Sequence, residues 1–281
     1  MPSLETTAHP DEAPAAAPAS WRAGDAGADW WRGTRRAEAW STLAWFDVIL
    51  RYRRSMLGPW WITLSLGLLL AGLAPLYSIL LDVPLRTYLP FVTLGVILWT
   101  FIAGSLQDCC NGLVGSGPQL RLGTVPPSLL VWRIVARHAF QFAHHLLLVA
   151  VVLAWSAAPL TPVMLLALPG LLAMALLLHF GGLVLAVACA RFRDVASVVS
   201  SVLQLAMFLT PVFWEPSRLP DRARFVLWNP FAAMIETVRA PMLGEMPHAH
   251  AWMIVGISLV ASAAAALAVL IAQRGRLVYW V

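Results

Sequence analysis

Six apolar stretches, each long enough or nearly long enough to cross a bilayer as a helix, dominate this sequence of 281 residues. A transmembrane helix needs about 20 predominantly apolar residues. The stretches cover residues 59–81, 91–114, 129–157, 163–190, 196–213 and 251–272. Only 12% of the residues are charged, whereas soluble domains carry about 25%. The sequence therefore predicts an all-α integral membrane protein with six transmembrane helices.

The arginines predict how the chain lies in the membrane. All 19 basic residues are arginine, and most of them fall on the side of the six stretches that holds the N-terminus. Because positive residues concentrate on the cytoplasmic side of membrane proteins, both termini are expected in the cytoplasm. A basic chain could also bind nucleic acid. Here the arginines flank apolar stretches, so membrane lipids are the expected partner and nucleic acid is not.

The segment before the first span divides into two parts. Residues 1–30 are polar and rich in Pro and Ala, which predicts a disordered cytoplasmic tail. Residues 31–57 predict an amphipathic interface helix, in which Asp47, Arg51 and Arg54 share one face at helical spacing. Asp47 can pair with Arg51 along that face. A plain juxtamembrane anchor explains the same pattern.

The remaining residues, 58–281, form the predicted six-span domain, and two of its segments need special treatment. The first half of span three carries Arg133, Arg137 and His138, which predicts that it lies at the membrane interface or against protein. Residues 214–250, between spans five and six, are interrupted by proline and predict a helix at 231–243. Short helices at membrane depth must be buried in protein.

The absence of lysine limits the energy source. A phosphate-binding P-loop needs a lysine that reaches the nucleotide phosphates, so this chain cannot bind ATP through one. If ATP drives transport, a partner must bind it. An ion gradient is the alternative, and it normally requires ionisable residues within the membrane. Asp108, His144, His145 and His179 are the candidates, although such histidines are more often packed than functional.

Four stretches carry a resemblance to a known family. They are LRYRRSMLGPWW (50–61), RFRDVASVVSSVLQLAMFLTPVFW (191–214), LWNPFAAMIETVRAPMLG (227–244) and RGRLVYWV (274–281). In this order and spacing they resemble the membrane subunit of bacterial ABC transporters that export polysaccharides such as O-antigen, capsule and teichoic-acid-like polymers. The resemblance runs from about residue 40 to the end of the chain.

This resemblance implies a homodimer in the bacterial inner membrane with an ATP-hydrolysing subunit below each half. The chain itself would hold no cofactor, because the partner subunit binds ATP and Mg. A lipid-linked polysaccharide, O-antigen above all, would pass through a channel at the dimer centre. The expected contacts with the ATPase lie on the interface helix, on the loop 115–128 and on the turn 191–194. They are Asp47, Arg51, Arg54, Gln119, Arg121, Arg191, Arg193 and Asp194. Asp194 can also cap span five or pair with a neighbouring arginine.

Aromatic residues are the candidates for the glycan path, because rings offer flat amphipathic contacts to sugars. The candidates are Tyr77, Trp99, Phe101, Phe208, Phe213 and Trp214. The resemblance also implies a periplasmic gate within 214–250. Its candidate residues are Asn229, Pro230, Phe231 and Glu236.

Two other functions share some of these features. An exporter of drugs or small lipids would have the same architecture. A membrane-embedded glycosyltransferase or acyltransferase would need an acid–base pair, and Glu215, Asp221, Glu236 and Glu245 show no spacing that suggests one. The pair His248 and His250 is too sparse for a metal site. We therefore expect neither a catalytic residue nor a metal ligand.

Overall fold

A computed structural model describes residues 26–53, 55–58, 60–122, 125–158, 161–216 and 226–280. This part of the chain is helical and contains no strand. The α-helices are α1 (Ala26–Arg35), α2 (Ala37–Tyr52), α3 (Trp60–Leu80), α4 (Leu85–Gly112), α5 (Gly117–Arg121), α6 (Pro127–Ser156), α7 (Ala167–Arg191), α8 (Val195–Leu209), α9 (Pro230–Met242) and α10 (Ala249–Trp280). A 3₁₀ helix, Pro162–Leu166, leads directly into α7.

Five of the described helices are long and apolar enough to cross a membrane: α3, α4, α6, α7 with its 3₁₀ extension, and α10. The predicted all-α membrane fold is confirmed. The predicted count of six spans is not, because α8 has only 15 residues, or about 22 Å at 1.5 Å per residue. Its last helical residue is Leu209, and Thr210 is extended. Thr210 precedes Pro211, and a residue before proline disfavours the helical conformation.

Helix α4 forms the centre of the bundle. Of the five candidate spans it is the most buried. In its most apolar 18-residue segment, 72% of the residues are buried, whereas the corresponding segments of α3 and α10 are 22% buried. Two ends of the bundle follow from the helix order. We call the end where α4 ends and α6 begins the charged end, and the end where α3 ends and α4 begins the far end.

Glycine allows the chain after α8 to approach the bundle closely. A Cβ on Gly95 of α4 would lie 2.6 Å from the carbonyl oxygen of Val212, and one on Gly170 of α7 would lie 2.5 Å from that of Thr237. Both distances are too short for a real Cβ. The segment after α8 and the middle of α9 therefore pack backbone to backbone against α4 and α7. The predicted helix at 231–243 is present as α9.

The N-terminal region differs from the prediction in two ways. Residues 26–30, predicted to be disordered, belong to α1, and the single interface helix predicted over 31–57 is two helices that meet at Arg36. The physical reason is tertiary packing: the indole of Trp30 donates to His179 Nε2 of α7 over 3.0 Å. Residues 1–25 lie outside the described part. Between α2 and α3, Gly58 has a φ of +56°, a conformation that glycine adopts readily.

Candidate functional site

A cluster of ion pairs at the charged end joins three helices. The Asp47 carboxylate of α2 accepts hydrogen bonds from Arg133 Nε at 2.7 Å and Arg133 Nη2 at 2.5 Å, both from α6. Arg137 Nη1 lies 3.8 Å from the same carboxylate. Asp47 thus pairs with α6, and the predicted partner along its own helix, Arg51, is not the residue it bonds. We call Asp47, Asp108, Arg133, Arg137 and His138 the charged cluster.

The α4 side of the charged cluster is Asp108. Its Oδ2 accepts from Arg137 Nη2 at 2.5 Å and lies 2.8 Å from His138 Nε2. Arg133 and Arg137 are one helical turn apart, so they share a face of α6 that meets both acidic residues. The prediction that the first half of span three lies against protein is confirmed. Asp108, one of the candidates for an ion relay, is thus engaged in packing contacts with Arg137 and His138.

A polar cavity of about 360 Å³ opens beside the charged cluster. Arg51 and Gln119 line it together with Asp47 and Asp108. Three predicted partner contacts, Asp47, Arg51 and Gln119, therefore converge on one surface. The fourth residue predicted on the interface helix, Arg54, lies outside the described residues.

The other predicted partner contacts lie at the same end of the bundle. Arg121 is exposed at the end of α5, and α5 contacts α10. The guanidinium of Arg191 lies 5.4 Å from the ring centre of Trp280, near the end of α10. Arg193 and Asp194 are exposed in the turn between α7 and α8. Asp194 occupies the N-cap position of α8 but makes no side-chain capping bond, so the predicted capping is wrong.

The structure divides the predicted glycan-path residues into two groups. Trp99 and Phe101 are only 6% and 4% exposed, and their rings pack against Phe231 and Phe142 inside the bundle. Both rings therefore belong to the core around the central helix α4, and their assignment to the glycan path stays a prediction.

The remaining aromatic candidates lie on or near the end of α8. Phe208 is 60% exposed. The Trp214 indole donates to the Phe208 carbonyl over 3.1 Å, and the Phe213 ring lies 6.0 Å from that of Tyr77. Phe208, Phe213 and Trp214 thus form an aromatic group at the end of α8, and Phe213 joins this group to Tyr77 of α3.

The predicted gate residues surround the start of α9. Asn229 Oδ1 accepts from Phe231 N at 2.9 Å and so caps the helix, while Asn229 Nδ2 donates to Thr210 Oγ1 over 2.9 Å. Pro230 is the first helical residue, a position that tolerates proline. Glu236 lies further along α9, and its Oε1 is 2.6 Å from His248 Nδ1. Asn229 therefore ties the start of α9 to the end of α8.

Sequence reasoning missed two features. One is α1, where Trp30 and Gly33 seat the helix: a Cβ on Gly33 would overlap Ser128 Oγ of α6. The other is the burial of Arg239, which is only 4% exposed. Its Nη1 donates to the Pro211 carbonyl over 2.5 Å. For both features the sequence offered only large side chains at helical spacing. Many surface helices show the same pattern, so it did not reveal that these residues are packed against other helices.

Comparison with known families identifies the class of the protein. Residues 38–243 match the model of the ABC-2 type transporter family. Because this match covers well over half of the chain, the protein belongs to that family. No curated protein matches the chain. Helices α1 and α10 lie outside the matched residues.

Family membership fixes the general role of the chain. It is a multi-pass membrane protein and the permease subunit of an ABC exporter, not itself the catalytic subunit. An ATP-binding partner subunit is implied. Such a partner must work from outside the bilayer, so a polar surface at one end of the bundle is the feature that docking requires.

Proposed function

We propose that this permease exports a lipid-linked polysaccharide, O-antigen in particular, from the cytoplasm to the periplasm across the bacterial inner membrane. The observation that supports the proposal is where the four stretches that resemble polysaccharide exporters lie in the fold. Within the described residues, they form the junction of α2 and α3, the segment from the end of α7 through α8, the whole of α9 and the end of α10. By the resemblance to polysaccharide exporters, the first two would belong to the partner surface and the α9 stretch to the gate region.

The charged end is the proposed docking surface for the ATPase. We propose that both termini lie on this same side of the membrane, in the cytoplasm. Gln119 and Arg51 offer exposed polar groups around the cavity, and Asp47 holds α2 against α6. A movement of the docked ATPase that displaces α2 would therefore also displace α6. Through Arg137 and Asp108 it would displace the central helix α4. In this arrangement the charged cluster transmits motion from the partner to the bundle.

The surface of α8 supports the proposed homodimer. Only Leu203 and Ala206 of this helix are buried, whereas Val198, Val202 and Leu205 are each more than half exposed. A helix too short to span the bilayer on its own is poorly suited to face lipid alone. We place a second copy of the chain against it, with one ATPase bound below each copy.

The proposed glycan path runs beside the same surface. Phe208, Phe213, Trp214 and Tyr77 supply aromatic faces on which sugar rings can slide. Their position at the end of α8, next to the exposed face proposed for the second copy, supports a path at the dimer interface. An exporter of drugs or small lipids with the same fold is the alternative, and the substrate decides between them.

Substrate export in cells tests the proposal. Deleting the chain should leave lipid-linked polymer inside the cell and remove it from the surface, with sensitivity to hydrophobic drugs unchanged. Phe208→Ala should lower export severalfold. Val260→Ala, at a 72% exposed residue of α10, is the matched control and should export normally. Normal surface polysaccharide combined with new drug sensitivity would favour the alternative.

A further inference from the structure

A second, larger cavity lies at the far end, away from the charged cluster. Its volume is about 780 Å³, and it is bounded by the first turns of α4, by α9 and by the chain after α8. This volume is within the range of small-molecule sites. Neither the ATPase surface nor the aromatic group at Phe208 accounts for it.

A buried cation lines this cavity. The Arg239 guanidinium lies 3.9 Å from the ring centre of Phe91 and donates to the Pro211 carbonyl. Among the described residues that carbonyl is its one hydrogen-bond acceptor, although a guanidinium has five N–H donors. Burial lowers the pKa of Arg239 to about 10, and Glu236, Glu215 and Glu245 oppose that shift through their negative charge, so the group stays charged at neutral pH. A buried charge is costly, and direct contact with an anion would stabilise it further.

Carboxylates line the same cavity as Arg239. Glu215 and Glu245 are exposed residues of the wall, and Glu236 is held by the backbone N–H and the ring of His248. The Glu245 carboxylate at the rim would repel a purely anionic ligand. A purely cationic ligand would be repelled by Arg239. The charges therefore fit a ligand that carries both signs.

The depth of the cavity fits a lipid headgroup. Helix α4 has 28 residues, or about 42 Å, which is the thickness of a bilayer with its headgroups. Phe91, under the guanidinium, lies six residues from the start of α4, or about 9 Å inward. Trp228 is 63% exposed and Met246 is 67% exposed at the same wall. An indole face attracts an ammonium group, and the apolar rim suits the start of an acyl chain.

We propose that this cavity binds the headgroup of a zwitterionic phospholipid, with its phosphate on Arg239 and its ammonium between Glu245 and Trp228. The lipid would fasten the outer turns of α4 to α9 and to Pro211. This inference is independent of the transported molecule, since the bilayer itself supplies the ligand.

Thermal unfolding of the delipidated, detergent-purified protein tests the proposal. Dihexanoyl phosphatidylethanolamine should raise the Tm in a saturable way. Dihexanoyl phosphatidylglycerol, inorganic phosphate and the neutral sugar maltotriose should not do so at a tenfold higher concentration. Equal stabilisation by phosphatidylglycerol or by phosphate would reduce the cavity to an anion site and overturn the proposal. Equal stabilisation by maltotriose would make it a sugar site and overturn it too.

Variants at the rim avoid the risk that a change at buried Arg239 prevents folding. Glu245→Gln should weaken phosphatidylethanolamine binding about tenfold, the effect of one lost charged contact, and Trp228→Ala should also weaken it. Glu38→Gln, at an exposed acidic residue of α2 at the charged end, is the control and should bind like the unchanged protein. Undiminished binding by both rim variants would refute the assignment.

Discussion

Asp47 and Arg133, 86 residues apart in the chain, form a two-bonded ion pair that fixes α2 along α6. Both side chains are mostly buried, with 17% and 28% exposure. A planar guanidinium that meets a carboxylate through two parallel bonds is more specific in geometry than a single contact. The pair therefore sets the angle at which α2 leaves the membrane domain.

Asp47→Asn should destabilise the protein because it leaves Arg133 without its counter-ion. The expected loss is about 1–3 kcal/mol, since the site is neither fully buried nor fully exposed. Thermal unfolding of Asp47→Asn, Arg133→Gln and the double variant measures the coupling between the two residues. Strict additivity of the two single changes would show that the pair contributes no coupling. Co-purification of the ATPase should fall in the single variants and not in Glu38→Gln.

Gly95 tests the close approach of the segment after α8 to the central helix. Gly95→Ala places a methyl group against the Val212 carbonyl, and overpacking of this kind costs about 1–3 kcal/mol. Gly72→Ala in α3 is the matched control, because no atom of a described neighbour lies within 4 Å of its Cβ position. The Tm should fall for Gly95→Ala and stay level or rise slightly for the control. A similar Tm for both variants would contradict this packing.

The apolar pattern predicted the positions of the helices well, but it did not predict which side of each helix packs against protein. The first span was predicted at 59–81 and is observed at Trp60–Leu80, because length and hydropathy alone define a membrane helix. Which side of such a helix faces protein is a different question. Membrane helices can be apolar on every side, so nothing in the sequence separated buried Trp99 from exposed Phe208.

The charged residues show the same limit. Spacing identified Arg51 as a partner for Asp47 because it lies one turn away, yet the true partner, Arg133, is distant in the chain. Only the fold reveals such a pair. The end of α8 could have been predicted from Pro211, but an apolar stretch that continues through Phe213 concealed it.

The anchoring of α1 gives a third prediction. Trp30→Phe removes the indole donor to His179, whose imidazole is fully buried, and the expected cost is about 1 kcal/mol. Trp31→Phe is the control, because Trp31 is 50% exposed and its ring meets Arg35 at the surface. Limited proteolysis should cut the N-terminal region faster in Trp30→Phe than in the control. Equal cleavage rates would show that the hydrogen bond does not hold α1.

Asn229 gives a fourth prediction, about the tie between α8 and α9. Asn229→Ala removes the cap of α9, worth about 1 kcal/mol, and leaves the buried Thr210 hydroxyl without its donor. Asn229→Asp keeps the capping oxygen and loses the amide donor. The aspartate variant should therefore be intermediate in Tm between the alanine variant and the unchanged protein, with Thr210→Val closing the comparison. An aspartate variant as unstable as the alanine variant would assign the whole effect to Thr210.

The final prediction concerns the homodimer and uses cysteine cross-linking. The three native cysteines, Cys109, Cys110 and Cys189, are each at most 2% exposed, so a bifunctional thiol reagent should leave the unchanged protein as a monomer band. Leu205 is 61% exposed on α8, and Leu205→Cys should give a covalent dimer in native membranes. Ile257→Cys on α10 is equally exposed at 63% but lies away from the proposed interface, so it should give little dimer. If both positions cross-link alike, the products report random collision, and the α8 face is then covered by lipid and not by a second copy.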